Sequence, residues 1–412
     1  MKRAYLHKLT KNGKILDKVI VFNSKGMIIH MAVLATIIRG IVRFVSEADA
    51  FLLALSTGSA IFGLILINSV THNRSNEVYV QVGAVIIGIA LYVLFSYVDI
   101  DIIADKSKLV FIFSILFLST LFVWGEGIGE GRGSWLRFGA IGIQPGEIIK
   151  IPFIIIISYM ISNFKERRTF NSLLSMMQIV VVFLFFVGFV FFAGRDVGTM
   201  VVYMGIFAIV LFAGGTKLRW FLISGAILTL LTPFLWENFL REDQRNRILA
   251  PFIPDVIDPT RRYQLWQGDL SVQAIATGGW FGQGLGNGRL TQTIDSIPAQ
   301  HTDFIFSVVG EELGFIGCIA VLALLVTIII RCVYIGIKSN NSLGMLVCIG
   351  VAAMVLVHMI MNVGMALGIM PVIGVPLPFI SYGGSSVVTF FAAMGLVSGI
   401  KMRPKPIRFR NM

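Results

Sequence analysis

Cysteine is almost absent from this chain: its 412 residues hold three, Cys318, Cys332 and Cys348. They fall in or beside apolar runs and have no metal-ligand spacing, so they read as small packed hydrophobes. Charge is scarce as well. Only 14% of residues are Asp, Glu, Lys or Arg, against 56% hydrophobic. A soluble domain with that balance lacks the polar surface to cover itself, which leaves an integral membrane protein. The alternation of a β-barrel strand is missing too, because the apolar runs are continuous and about as long as the roughly 20 residues that cross a hydrocarbon core. No cleavable signal peptide is expected, since residues 2–25 are long and basic before anything apolar. Nor is there a convincing internal repeat, which weakens an inverted-repeat transporter.

What is present is a set of ten such runs, near 51–70, 78–98, 108–124, 147–163, 176–193, 199–215, 219–236, 303–330, 343–363 and 379–400. The fold class is therefore an all-α integral membrane protein. It is a polytopic bundle of about ten transmembrane helices, with a large extracytoplasmic loop at 237–302 between the seventh and eighth. Residues 1–50 read as a basic cytoplasmic region, with an interfacial helix over 26–45 that Arg39 and Arg43 keep from spanning. The membrane domain covers 51–400, and a basic cytoplasmic tail covers 401–412.

The net charge of +12 is distributed as a membrane protein requires. With a cytoplasmic N-terminus, about two thirds of the 34 basic residues fall inside, the positive-inside bias. Such a basic tail is a topology device beside an anionic leaflet, not a nucleic-acid footprint. Lysine is missing from the outer loops, which carry Arg74, Arg132, Arg137, Arg195, Arg241, Arg245, Arg247, Arg261, Arg262 and Arg289. Arginine is the better fork for phosphate or carboxylate, so the bias suggests an anionic ligand outside. Three outer segments, 125–147, 237–302 and 365–381, are rich in Gly or Pro. Backbone of that kind is tolerated near membrane depth only when covered by protein or lining a wet cavity, which suggests one shared outer cavity.

Several groups at that side could carry chemistry. A straight helix from Glu312 to Arg331 rises about 27–29 Å, close to the hydrocarbon thickness. Glu311 and Glu312 would then lie at the outer boundary and Asp303 about 13 Å beyond, at headgroup height. Thr302-Asp303 also resembles a helix start, and spacing alone favours a cap over a reactive carboxylate. Glu147 and Lys150 share a helix face at the outer end of the fourth run. An intramembrane lysine needs a partner or a wet cavity, so the pair is either a mutual salt bridge or a lysine offered to phosphate. Asp196 reads first as a cap, and His358 with Asn362 as a polar interhelical contact. "GQGLGNG" has no strand-loop-helix setting for a dinucleotide. No Ser-His-Asp order or metal-ligand cluster stands out.

Seven segments, in order, carry a resemblance over residues 51–400: "GRGSWLRFG…IQPGEIIK", "RDVGT", "QRNR", "RYQ", "GGWFGQGLGNG", "QHTDFIFSVVGEELGFIG" and "GVPLPFISYGGSS". Together they resemble the SEDS family (shape, elongation, division and sporulation), which includes RodA, FtsW and SpoVE. The resemblance implies a bacterial peptidoglycan glycosyltransferase of the cytoplasmic membrane. It would polymerise lipid II at the extracytoplasmic face, with inversion at C1 and release of undecaprenyl pyrophosphate, beside a class B penicillin-binding protein. The family's essential aspartate matches Asp303, as general base. Its substrate- and pyrophosphate-binding groups match Arg245, Arg247, Lys150 and Glu147, and Arg132 and His301 are expected to bind substrate or pyrophosphate with them. A divalent cation, Mg2+ or Mn2+, is implied by the resemblance, with no ligand set visible. The chain departs from the family's pattern at Gly146, Ala299 and Ile373, and Asp295 stands where a missing carboxylate could be replaced. "GVPLPF" resembles the elongation (RodA) branch more than the division (FtsW-like) branch. The rival readings are a lipid II flippase and a non-catalytic scaffold for the transpeptidase.

Overall fold

A backbone surrounded by hydrocarbon must satisfy its own hydrogen bonds, and the long apolar runs do so as helices. The structure is a computed structural model describing residues 44, 46–71, 75–125, 133–139, 141–263, 265–293 and 297–403. The chain divides into units 1–48 and 49–412; of the first only 44 and 46–48 are described, and the second carries the architecture. The interfacial helix expected over 26–45 falls almost wholly outside the described residues, as do Arg74, Arg132 and Asp295.

The first long helix, α1, is Ala50–Val70, followed by α2 (Ser75–Ser96), α3 (Ile100–Asp105), α4 (Ser107–Ser119) and α5 (Leu121–Trp124). A two-stranded antiparallel hairpin, β1 (Leu136–Phe138) and β2 (Ile141–Ile143), pairs Arg137 with Gly142. Then come α6 (Pro145–Ile148), α7 (Lys150–Glu166), α8 (Leu173–Gly194), α9 (Val197–Ala213) and α10 (Leu218–Asn238). The expected loop at 237–302 contains α11 (Glu242–Leu249), α12 (Pro254–Ile257) and α13 (Trp266–Gly278). The chain closes with α14 (Ile305–Ile337), α15 (Ser342–Ala366) and α16 (Gly384–Met402). Among the described residues nine helical stretches are long and apolar enough to cross a membrane, with α4–α5 and α6–α7 each counting as one. The apolar α9, 17 residues long, makes the tenth.

The polar residues between spans stop and start these helices. Asp49 accepts from Leu52 N at 2.8 Å, Asp196 from Thr199 N at 2.8 Å, and Asn341 from Gly344 N at 2.7 Å. Each satisfies an N–H that the first helical turn cannot. In the centre, α16 is almost wholly buried and packs most extensively on α2. A Cβ at Gly395 would lie 2.4 Å from Tyr92 O, so glycine is what permits this approach. At the rim, α10 buries no residue, and large apolar side chains such as Phe113, Leu184, Leu230 and Ile330 face outward. That surface suits lipid, not water.

One element departs from the straight-helix expectation. α14 breaks at Gly314, with φ 68° and ψ −165°. The segment after α13 pairs with the break: Gln283 N and Gly284 N donate to Glu311 O and Glu312 O at 2.9 Å, while Phe315 N donates to Gly279 O at 2.8 Å. The extrapolation of height from Arg331 to Asp303 therefore fails, because the helix is not continuous and 299–303 are turns. The side chains of Glu311 and Glu312 are fully buried. Glu311 accepts from Leu290 N and Thr291 N, both at 2.8 Å, and Glu312 from Ser69 Oγ and from Gln292 Nε2 at 2.8 Å. These carboxylates hold the glycine-rich segment in place. Gly282 sits there at φ 79°, where a Cβ would be 2.2 Å from Glu312 O. Gly282→Ala is expected to cost about 2–4 kcal/mol, or to prevent folding, as a backbone-strain substitution. Thermal unfolding in detergent reads the effect, and an unchanged Tm would contradict this packing.

Candidate active site

All three irregular segments expected to share a cavity do line one. Its volume is about 1470 Å³, and it is lined by the hairpin from Ser134 to Gln144, α11, the irregular stretch Val372–Pro376, and residues of Gly194–Gly198 and Tyr382–Ser386. Among the described residues the charged groups facing it are Glu77, Arg137, Arg195, Asp196, Arg241, Asp243, Arg247 and Asp303, and no lysine.

Asp303 is held through its backbone. Ala299 O accepts the N–H groups of Thr302, Asp303 and Phe304, folding the chain into a tight turn ahead of α14. Each of the next carbonyls is then tied to a different place. Tyr382 N donates to His301 O at 2.8 Å, Ser381 Oγ to Thr302 O at 2.5 Å, and Asn362 Nδ2 to Asp303 O at 2.8 Å. The N-cap of α14 is Phe304, with no side-chain cap hydrogen bond. The Asp303 carboxylate is thus not the helix cap that spacing favoured. It accepts no hydrogen bond among the described residues and faces the cavity half-buried. Burial raises its pKa to about 6, with the negative charge of Asp196 adding to the rise.

Asp196 is a cap, as expected, and more. It accepts from Thr199 N and Thr199 Oγ1 at 2.8 Å and from Gln144 Nε2 at 2.6 Å. Burial holds its carboxyl above the ordinary range although Thr199 opposes this. Gln144 also ties the hairpin to α16, its N–H reaching Ser385 Oγ at 3.1 Å.

Glu147 and Lys150 do not line the cavity. Lys150 is fully buried, donating to Glu147 Oε1 and meeting His358 Nε2 at 2.9 Å. His358 Nδ1 lies 2.7 Å from Met354 O, which can only accept, so Nδ1 carries the proton and Nε2 is the acceptor for Lys150. The interhelical contact of His358 is therefore to Lys150, and that of Asn362 is to the backbone of Asp303 and Val375.

The resemblance pairs Arg245 with Arg247, and the structure separates them. Arg247 faces the cavity, whereas Arg245 donates to Leu240 O at 2.9 Å and Glu237 O at 3.1 Å, closing the end of α10. His301 stands outside the lining, 3.6 Å from Glu77 Oε2 and ring-to-ring with Tyr382 at 5.5 Å. Arg132 lies outside the described residues. Arg195, Arg241 and Tyr382, which carried no role from the sequence, are on the wall. The outer arginine bias was the one signal pointing to the first two.

Among the described residues no three of His, Cys, Asp and Glu come together to hold a metal ion. Mg2+ is commonly held by one or two carboxylates together with a substrate's phosphates, so the divalent cation implied by the resemblance needs no such cluster.

Residues 49–405 match the FtsW, RodA and SpoVE family, described as cell cycle protein. The chain belongs to this family. Among its relatives, peptidoglycan glycosyltransferase MrdB of Escherichia coli K12 is 28% identical over 359 residues, spanning 87% of this chain and 94% of the relative. The probable peptidoglycan glycosyltransferase FtsW of Bacillus subtilis is 32% identical over 334 residues, spanning 78% and 80%. In solved structures, this family member resembles a chain of a peptidoglycan synthase complex that coordinates polymerization and crosslinking. There the TM-score is 0.73 at 27% identity, covering 86% of this chain and 97% of that one. It also shares its fold with the rod shape determining protein RodA of Thermus thermophilus, with a TM-score of 0.63 at 23% identity over 86% and 96%. With its apolar helices, membership makes it a multi-pass membrane protein.

Proposed function

We propose that this chain is a peptidoglycan glycosyltransferase that joins lipid II units into glycan strands at the outer face of the cytoplasmic membrane. The observation that carries the chemistry is Asp303, a carboxylate fixed by its backbone and otherwise uncommitted, in a cavity lined by arginines. Asp303 removes the proton from the 4-hydroxyl of an acceptor lipid II as general base. The oxygen forms its bond to C1 of the lipid-linked sugar as the C1–oxygen bond to the pyrophosphate breaks. The bond electrons leave on undecaprenyl pyrophosphate, and attack from the opposite face inverts the centre. No general acid is required, because arginine charge stabilises the leaving group. That Arg247 lines the cavity supports this role for it. Lys150, Glu147 and Arg245 act beneath or beside the site through the helices they join.

The outer placement of the cavity rests on the positive-inside bias. Likeness to the synthase complex supports a penicillin-binding partner of class B. "GVPLPF", residues 374–379, supports an elongation role. A flippase would need polar groups along the bilayer. Below the cavity the buried polar groups Glu147, Lys150 and His358 are consumed by one another.

Glycan polymerisation from purified lipid II tests the reading, and its pH profile tests the base. A carboxylate acts as base only when ionised, and burial has lifted Asp303 to about 6. Activity is expected to rise tenfold per pH unit below about 6 and to level above it. Absence of glycan with partner present would sink the glycosyltransferase; a profile already flat at pH 5 would move the base elsewhere.

A further inference from the structure

Facing the Asp303 carboxylate is a residue with no side chain. A Cβ at Gly374 would lie 3.5 Å from Asp303 Oδ2 and, outside the adjoining residues, would meet no other described atom within 4 Å. The space over Gly374 is therefore open, and the carboxylate borders it. A φ of 69° does not single this residue out, because several glycines of the chain share that region. Its neighbour does: for none of the other described glycines is Asp303 among the nearest atoms.

The residues on either side of Gly374 are held firmly. Asn362, fully buried, donates from Nδ2 to Asp303 O and to Val375 O, both at 2.8 Å. One amide thus ties the residue of the carboxylate to the residue after Gly374 and sets the gap between them. From the other side the stretch lies against the start of α9, where a Cβ at Gly198 would be 2.3 Å from Ile373 O. Gly374 itself is exposed on the cavity, and its N–H and C=O make no hydrogen bond among the described residues. Backbone groups in a folded wall are rarely left without partners, so this pair is available to the hydroxyl or acetamido groups of a bound sugar.

We infer that Gly374 is a specificity-determining residue for the acceptor: the bare ledge on which the attacking sugar lies with its hydroxyl on Asp303. This role rests on the reading of Asp303 as base in glycosyl transfer. The acceptor oxygen has to come within about 2.6–3.2 Å of the carboxylate, and it carries a whole ring with it. A side chain at 374 takes space from the ring and still leaves room for water. Water then replaces the acceptor: Asp303 takes its proton, its oxygen bonds to C1, and the C1–oxygen bond to the pyrophosphate breaks. The bond electrons leave on undecaprenyl pyrophosphate, and the sugar is released as a hydrolysis product.

The test uses the full-length protein with a class B penicillin-binding partner, lipid II as substrate, and Gly374→Ala beside Gly374→Asn. Asparagine is among the side chains that best tolerate positive φ, so the larger substitution is not the more strained one. Gly215→Ala calibrates the backbone cost, since Gly215 has φ 80° just past the end of α9 and a Cβ there would meet nothing within 4 Å. Glycan synthesis is expected to fall about 10–100-fold in Gly374→Ala and further in Gly374→Asn, as misplacement of a reactant by about 1 Å does. The ratio of hydrolysed lipid II to glycan is expected to rise at least about tenfold, because only the larger nucleophile is displaced. Tm should be no lower than in Gly215→Ala. Wild-type glycan yield from Gly374→Asn overturns the role. Equal loss of glycan and hydrolysis, or a Tm below that of Gly215→Ala, makes Gly374 structural and also overturns it. Wild type that makes no glycan sinks the glycosyltransferase reading and this role together, whereas active wild type with unaffected variants sinks this role alone.

Discussion

Asp303→Asn is expected to abolish glycan synthesis, by about 10²–10⁴-fold or more, while the protein folds and stays as stable as wild type. The separation of the two effects follows from how Asp303 is held. Its N–H and C=O are bonded to Ala299 and Asn362, and an asparagine keeps both. Among the described residues its carboxylate supports no other group, so exchanging an oxygen for NH2 breaks none of these contacts. The linkage has a definite sign. Burial lifts the folded pKa from 3.8 to about 6, so the native state holds the proton more tightly than the unfolded chain. Stability therefore falls as pH rises from about 4 to about 6 and is constant above, where the ionised carboxylate is a net cost. Removing the charge makes Asp303→Asn no less stable than wild type at neutral pH. Gel-resolved polymerisation from lipid II and thermal unfolding in detergent read the two quantities separately. Glycan at wild-type rates from the variant would remove Asp303 from the chemistry. A collapsed Tm would return it to the structural role that spacing favours.

That spacing could not decide the matter has a physical cause. A cap and a base both require a short acid at the head of a helix, and both read as Thr-Asp ahead of an apolar run. What separates them is the turn closed on Ala299 O and the three carbonyls anchored by Tyr382, Ser381 and Asn362 from 59 to 81 positions away. The spans, by contrast, were legible from length and composition alone, because lipid leaves the backbone few alternatives. The break at Gly314 was not, since glycine inside a membrane helix is common and only the pairing with Gly279 and Trp280 makes this one bend. Glu311 and Glu312 looked like a polar head facing a reaction, yet both are spent on the glycine-rich segment. The division between Arg245 and Arg247 was legible in principle. Residues two apart on a helix point in nearly opposite directions, so one cavity could take only one of them.

The lysine beneath the site offers the second large effect. Lys150→Met keeps the length and volume of the side chain and removes its charge. It leaves the Glu147 carboxylate buried with no cation, because the remaining neighbour, His358, points an unprotonated nitrogen at the gap. Stranding one member of a buried ion pair costs about 3–5 kcal/mol, so the single variant is expected to unfold much earlier on heating and to lose activity with its fold. Adding Glu147→Gln removes the stranded charge. Replacement of both members of a buried pair by neutral groups is often near neutral, so the double variant should regain most of the lost Tm. The same pair of variants tests what Lys150 does for the reaction. A lysine acting only by joining α6, α7 and α15 would let activity return along with stability. A lysine reaching pyrophosphate would leave the double variant stable and inactive, and that result would require the buried ion pair to open during turnover. A single variant as stable as wild type would mean that Glu147 finds another partner or a proton once Lys150 is gone.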